Sequence, residues 1–336
     1  MRWLKRLLVM LFVLFLLYLL GPHPATPSYP AELPNVPSTD QLDPFIAAGE
    51  SVHHLRPDNE ARVVWANDSL KRKTEYAIVY LHGFSASQEE GSPVHRNIAQ
   101  LFGCNLYLSR LAEHGIDTAD QLVNLTPDNY WKSAQQALAI GKQLGNKVIL
   151  MGTSTGGTQA LQLAAAYPDQ VAALILFSPN IAINDPNAWM LNNPWGVQIA
   201  RLVKGSNYLV ADDDRPIYKQ YWSKPYRLEA TIVLEEMIET TMNEETFARV
   251  KQPTLLLYYY KDQQHQDPVV KVSAMKEMFA QLATADAEKR AVAMPLTENH
   301  VMASPIKSKD VAGVERETKK FLEDLLHMRA KIDSLH

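Results

Sequence analysis

The chain has a single cysteine, Cys104, so it holds no internal disulfide and no site built from several cysteines, whether zinc or iron–sulfur. It also has little excess of either charge. Lys and Arg number 33 against 37 Asp and Glu, a net −4, and no long block of one sign occurs. A nucleic-acid-binding face needs concentrated basic charge, so nucleic acid is not an expected partner. Ten histidines are scattered without an H-E-x-x-H or similar ligand spacing, and neither a metal nor any other cofactor is expected. With 46% hydrophobic and 21% charged residues, the composition is that of a globular protein and not of a disordered chain.

One long apolar run stands out. Residues 1–6 carry Arg2, Lys5 and Arg6, and Leu7 to Leu20 is fourteen uninterrupted apolar residues. This has the shape of a signal peptide or a signal anchor over residues 1–21. Gly21-Pro22-His23-Pro24 offers no A-x-A cleavage pattern, which favours an uncleaved anchor. On this reading the N-terminus is cytoplasmic and the chain contacts the membrane. The remainder faces the periplasm from the inner membrane, or is periplasmic or secreted if cleaved. From Pro22 to Pro44 seven prolines forbid helix, and residues 22–55 read as an extended linker.

Beyond it, strand and helix patterns alternate. Strands are expected at Ala61–Trp65, Tyr76–Leu81, Asn105–Ser109, Lys147–Met151, Ala172–Phe177, Thr254–Tyr260 and Arg290–Met294. Helices are expected at Asn129–Leu144, Gly156–Tyr167, Val269–Leu282 and Val314–Leu326. Such alternation requires crossover connections, so residues 56–336 form an α/β domain on a mostly parallel sheet covered on both faces. Residues 180–252 break the pattern as a partly helical insertion rich in aromatics, including Trp189, Trp195, Tyr208, Tyr218, Trp222 and Tyr226. Most of these aromatics suit a small core of the insertion's own, and a few suit the roof of an apolar pocket.

Three segments carry chemistry. Gly152-Thr153-Ser154-Thr155-Gly156 is a G-x-S-x-G pentapeptide between a buried strand and a helix. A tight strand-to-helix turn there exposes the Ser154 hydroxyl and aims the positive end of the helix at it, with the Thr155 N–H as an oxyanion donor. His82-Gly83-Phe84-Ser85 follows another strand and offers the Phe84 N–H as a second donor, while His82 suits holding the loop. Glu298-Asn299-His300, before the last helix, supplies the base that a serine hydroxyl needs. The acid that orients this histidine must lie after the strand Thr254–Tyr260, where Asp262 and Asp267 both stand.

Together the HGF loop, GTSTGG, the Asp-containing loop and the terminal NHV resemble the α/β-hydrolase superfamily over about residues 60–330. Ser109 to Gly115 and Leu125 to Trp131 further resemble bacterial carboxylesterases and monoacylglycerol lipases, which carry a small insertion over the site. The resemblance implies an α/β-hydrolase fold with a helical lid, Ser154 as nucleophile, His300 as base, and Phe84 and Thr155 as oxyanion donors. For the acid, counting forward from Pro253 reaches Asp262, whereas the pattern that follows such acids matches Asp267-Pro268-Val269-Val270. Asp267 is favoured because a helix is expected to start directly after it. A serine at the elbow implies acyl transfer, and the aromatic insertion implies a small apolar ester as substrate. An amide-cleaving or acyl-transferring enzyme is the alternative, with Asp212, Asp213 and Asp214 able to grip a substrate amine. A non-catalytic binding protein would have lost one of these residues, and none is lost.

Overall fold

The computed structural model describes residues 2–210 and 213–331. Helices α1 (Arg2–Leu19) and α2 (Leu42–Ser51) precede a short strand, β1 (Arg62–Val64). The alternating part follows with β2 (Thr74–Leu81), α3 (Val94–Phe102), β3 (Asn105–Leu108), α4 (Pro127–Leu144), β4 (Gly145–Thr153), α5 (Thr155–Ala166) and β5 (Ala173–Phe177). The insertion contributes α6 (Gly196–Lys204), β6 (Tyr208–Leu209), α7 (Pro216–Tyr221), β7 (Tyr226–Arg227), α8 (Glu229–Thr241) and α9 (Glu244–Phe247). The chain then returns to β8 (Thr254–Tyr258), α10 (Val272–Gln281), β9 (Lys289–Ala293) and α11 (Val311–Asp324).

Seven strands form one sheet in the order β1-β3-β2-β4-β5-β8-β9, with only β1 antiparallel to its neighbour. Its central strands are apolar on both sides because helices cover both faces. Val79, Leu81, Leu150 and Leu174 join the core shared with α4 and α5, while Ile78, Tyr80, Ile149 and Met151 join the core shared with α3 and α11. Helix α4 starts at Pro127, where Thr126 and Asn129 form a reciprocal capping box and Pro127 presets the first turn. The parallel strands bring the carboxyl ends of β2, β4, β5 and β8 to one edge, and the functional loops therefore meet there.

The N-terminal reading is corrected by the structure. No helix among the described residues is long and apolar enough to cross a membrane. The 18 residues of α1 include Arg2, Lys5 and Arg6. Its apolar part, Leu7 to Leu19, rises only about 20 Å, short of a hydrocarbon core of about 30 Å. The transmembrane signal anchor is thereby overturned, and the membrane contact and the inner-membrane or exported location inferred from it lose their support. The proline-rich segment lies along the domain: Trp131 Nε1 and Gln135 Nε2 donate to the Pro30 carbonyl at 3.0 and 2.7 Å, and Tyr29 packs edge-on against Trp131.

Within the insertion, α8 carries Glu235, which is buried with Oε2 lacking a hydrogen-bond partner among the described residues. Burial, reinforced by Glu239 and Asp185 against the pull of Lys271, pushes its carboxyl up to about 7. A folded-state value above the unfolded one contributes stability in full below the unfolded carboxylate range, and that contribution is lost as pH rises through about 7. Glu235→Gln removes this loss. The melting-temperature difference, variant minus wild type, is expected to grow between pH 5 and pH 8, and a pH-independent difference would refute the assignment.

Candidate active site

Ser154 sits between β4 and α5 with φ 53° and ψ −120°, a conformation that a residue with a Cβ adopts only under constraint. The constraint is visible. The Ser154 N–H donates to the Phe177 carbonyl at 2.9 Å, and its own carbonyl accepts from Gly157, Thr158 and Asn180. Two glycines permit the turn: a Cβ on Gly156 would overlap the Leu81 carbonyl, and one on Gly152 would meet the Gly156 backbone. The Thr155 N–H, first in α5, has no acceptor among the described residues.

Across the sheet edge, the loop after β2 is held from beneath by two buried histidines. Leu111 N–H donates to His82 Nε2 at 3.0 Å, so the ring proton is on Nδ1 and donates to the Gly83 carbonyl. Ser85 N–H likewise donates to His114 Nε2, whose Nδ1 donates to the Ala112 carbonyl at 2.7 Å. Burial keeps both rings neutral, pushing His82 down to about 4 and His114 further. Phe84 thus sits in a fixed turn with its N–H unpartnered among the described residues, and its ring meets Tyr226 edge-on.

His300, in the loop after β9, is joined through Nδ1 to Asp267 Oδ2 at 2.7 Å. The other Asp267 oxygen accepts the N–H groups of Val269 and Val270, at 2.9 and 3.1 Å. Asp267 is only 1% exposed. Burial by itself disfavours both charges, yet the pair overcomes it: the His300 charge and these hydrogen bonds hold Asp267 low, and Asp267 holds His300 up. Asp262 is elsewhere. It is exposed and closes a small turn onto His265, accepting from the backbone and the ring at 2.8 and 2.9 Å.

Ser154, Thr155, Phe84 and His300 line one cavity of about 870 Å³. Asp267 stands behind His300 and does not line it. The insertion supplies most of the apolar wall through α6, Tyr218, Trp222, Tyr226 and Leu234, whereas Trp189 and Trp195 do not line it. Of the acidic run, Asp213 pairs with Arg215 and Lys307 and Asp214 with Lys219, and neither lines the cavity. Asp212 lies outside the described residues. No group of three or more His, Cys, Asp or Glu among the described residues suits a metal ion. Among the wall residues that sequence reasoning missed is Glu90, buried beside Gly83. Its only signal was a Glu89-Glu90 pair soon after the HGF loop, which reads as solvated.

The sheet order and crossovers are those of the α/β-hydrolase fold. The chain belongs to the α/β-hydrolase family described as serine aminopeptidase, S33, whose model matches residues 128–298. Lipase LipV of Mycobacterium tuberculosis (strain ATCC 25618 / H37Rv) is 46% identical over 48 residues, which are 14% of this chain and 18% of LipV. The chain thus matches less than a fifth of that curated relative's length. In three dimensions it resembles a structure from work on the metagenome-derived lipolytic enzymes LipS and LipT (TM-score 0.64, 16% identity, 80% of this chain and 99% of that one). It also resembles the Paleococcus ferrophilus monoacylglycerol lipase (TM-score 0.56, 15% identity, 78% and 97%). Ferulic-acid-bound Est1E from Butyrivibrio proteoclasticus is similar too (TM-score 0.54, 18% identity, 80% and 95%).

The elbow depends on backbone lying against backbone, which no side-chain adjustment relieves. Gly156→Ala is therefore expected to lower stability by about 3 kcal/mol or more in urea denaturation. A loss under about 1 kcal/mol would show that α5 and the β2 loop separate easily.

Proposed function

We propose that the protein is a serine hydrolase that cleaves carboxylic esters bearing apolar groups through an acyl-enzyme on Ser154. One observation carries the reading: the hydrogen-bonded Asp267–His300 pair flanks the same apolar cavity that contains Ser154 at a strained helix N-terminus. In this reading residues 56–336 are the hydrolase domain and residues 180–252 its lid. Asp267 fixes the His300 tautomer and stabilises the imidazolium. His300 takes the Ser154 proton as Oγ attacks the acyl carbon. The negative charge passes to the former carbonyl oxygen, where the unpartnered N–H groups of Phe84 and Thr155 act as donors. Collapse of this intermediate breaks the bond to the alcohol oxygen, which leaves with the proton from His300. Water, deprotonated by His300, then repeats the sequence and releases the acid. The lipolytic and esterase names among the fold neighbours agree with this substrate class.

The family's description, a serine aminopeptidase, favours amide cleavage as the second reading. Against it, the carboxylates of Asp213 and Asp214 are already taken by Arg215, Lys307 and Lys219 and stand outside the cavity.

The test is hydrolysis of p-nitrophenyl esters from acetate to palmitate, with aminoacyl p-nitroanilides in parallel. Ester turnover should exceed anilide turnover, and Ser154→Ala should lower it on the order of 10⁴-fold or more. Anilide-only turnover would move the protein to the second reading. The acid has its own comparison on whichever substrate is turned over. Asp267→Asn should cost on the order of 10⁴-fold in kcat, while Asp262→Asn stays within about twofold of wild type. The reverse pattern would exclude Asp267 as the orienting acid.

A further inference from the structure

We infer that Glu90 is a positioning residue: it anchors the loop facing Ser154 through the Gly83 amide, and its charge sets the pH at which His300 becomes a competent base. This rests on the roles of Ser154 and His300 proposed above.

Glu90 lies in a short 3-10 turn, Gln88–Gly91, opened by Ser87, whose Oγ accepts the Glu89 N–H. It is 2% exposed and lines the cavity with Ser154 and His300. Its Oε2 accepts the Gly83 N–H at 2.6 Å. No Lys or Arg forms an ion pair with it among the described residues. The geometry explains Gly83. A Cβ at that position would lie 2.9 Å from both Glu90 oxygens and 3.1 Å from Ser154 Cβ, so the peptide is clamped between carboxylate and serine. That clamp fixes the His82–Gly83 peptide one residue before the Phe84 N–H.

Accepting one N–H needs no charge, since an amide oxygen does the same, and burying a carboxylate without a cation is costly. The charge has a use beside His300. When Ser154 loses its proton, an imidazolium forms, and an anion near it favours that state. The groups facing Glu90 are Tyr80 from β2, Tyr130 from α4 and His300; those facing His300 are Asp267 and Glu90. Lys224 and Lys307 line the wall of the same cavity. Burial holds the Glu90 carboxyl up at about 7, while the Asp267 and Glu90 charges hold His300 above the ordinary histidine value, so ionisation of each group depends on the other.

The test is the rate at which a fluorophosphonate labels the serine of the full chain between pH 5 and 9. This reports Ser154 nucleophilicity without knowledge of the substrate. Glu90→Gln keeps an acceptor for Gly83 and removes the charge. Its acid limb should move to lower pH by about one unit, with an unchanged or higher melting temperature. Glu90→Asp keeps the charge and withdraws it from Gly83. Its limb should stay near the wild-type position while the plateau rate falls about tenfold or more. A Glu90→Gln limb that coincides with wild type overturns the inference. If Glu90→Gln fails to fold, an unchanged Glu90→Asp plateau overturns it instead. Ser154→Ala separates the levels: undiminished labelling of that variant sinks the Ser154 reading and this inference with it. Lost labelling in Ser154→Ala with unmoved Glu90 variants sinks this inference alone.

Discussion

The approach of two backbones organises the site. Helix α5 begins so close to the end of β2 that only glycine fits at position 156, against the carbonyls of Leu81 and His82. Bringing these segments together gives Ser154 a positive φ and leaves the Thr155 N–H without an acceptor among the described residues, in a residue that lines the cavity. The strain of order 1–3 kcal/mol that such a conformation carries is held by the surrounding bonds from Phe177, Gly157, Thr158 and Asn180. Phe177 ends β5, Gly157 and Thr158 belong to α5, and Asn180 stands in the buried loop just after β5, so sheet, helix and loop brace the elbow together.

A second constraint is electrostatic. The site edge collects an unusual number of buried ionisable groups: His82 and His114 kept neutral, Asp267 and His300 paired, and Glu90 facing the last of these. Each neutral histidine has its tautomer assigned by a backbone N–H donating into the ring. They serve as fixed struts, in contrast to His300, whose ring is joined to the buried carboxylate of Asp267. Burial lowers a lone histidine and raises a lone carboxylate, and only mutual pairing reverses both, as at Asp267 and His300.

How much of this could be read from the sequence follows from how local each signal is. The buried strands announced themselves as apolar runs such as YAIVYL and KVILM, and the elbow as glycines at a strand-to-helix junction. The choice between Asp262 and Asp267 rested on where the next helix starts, and Asp267 is the residue that accepts from His300 while Asp262 turns back on His265. Glu90 was invisible because its burial is made by α4, β2 and the loop of His300, distant in sequence. The N-terminal run misled for a measurable reason: composition resembled an anchor, while helix rise over Leu7 to Leu19 leaves it too short.

The insertion and the loop facing Ser154 form one mechanical unit. Ser223 N–H donates to the Ser85 carbonyl, and Phe84 packs edge-on against Tyr226. Buried Arg56 reaches from the main domain to the Trp222 carbonyl and Ser223 Oγ, at 3.1 and 2.9 Å. Between Trp222 and Tyr226 the roof therefore hangs on the turn that presents the Phe84 N–H. In contrast, α6 exposes Leu202 and Val203, and its side chains reach α8 through the Arg201–Glu229 pair and not the loop of Phe84. On the proposed reading, admitting a bulky substrate costs least at α6, since opening at Trp222 would disturb the turn that carries Phe84. On that reading the apolar wall divides into a half tied to the turn that faces Ser154 and a half at α6 that can adapt to the length of the substrate.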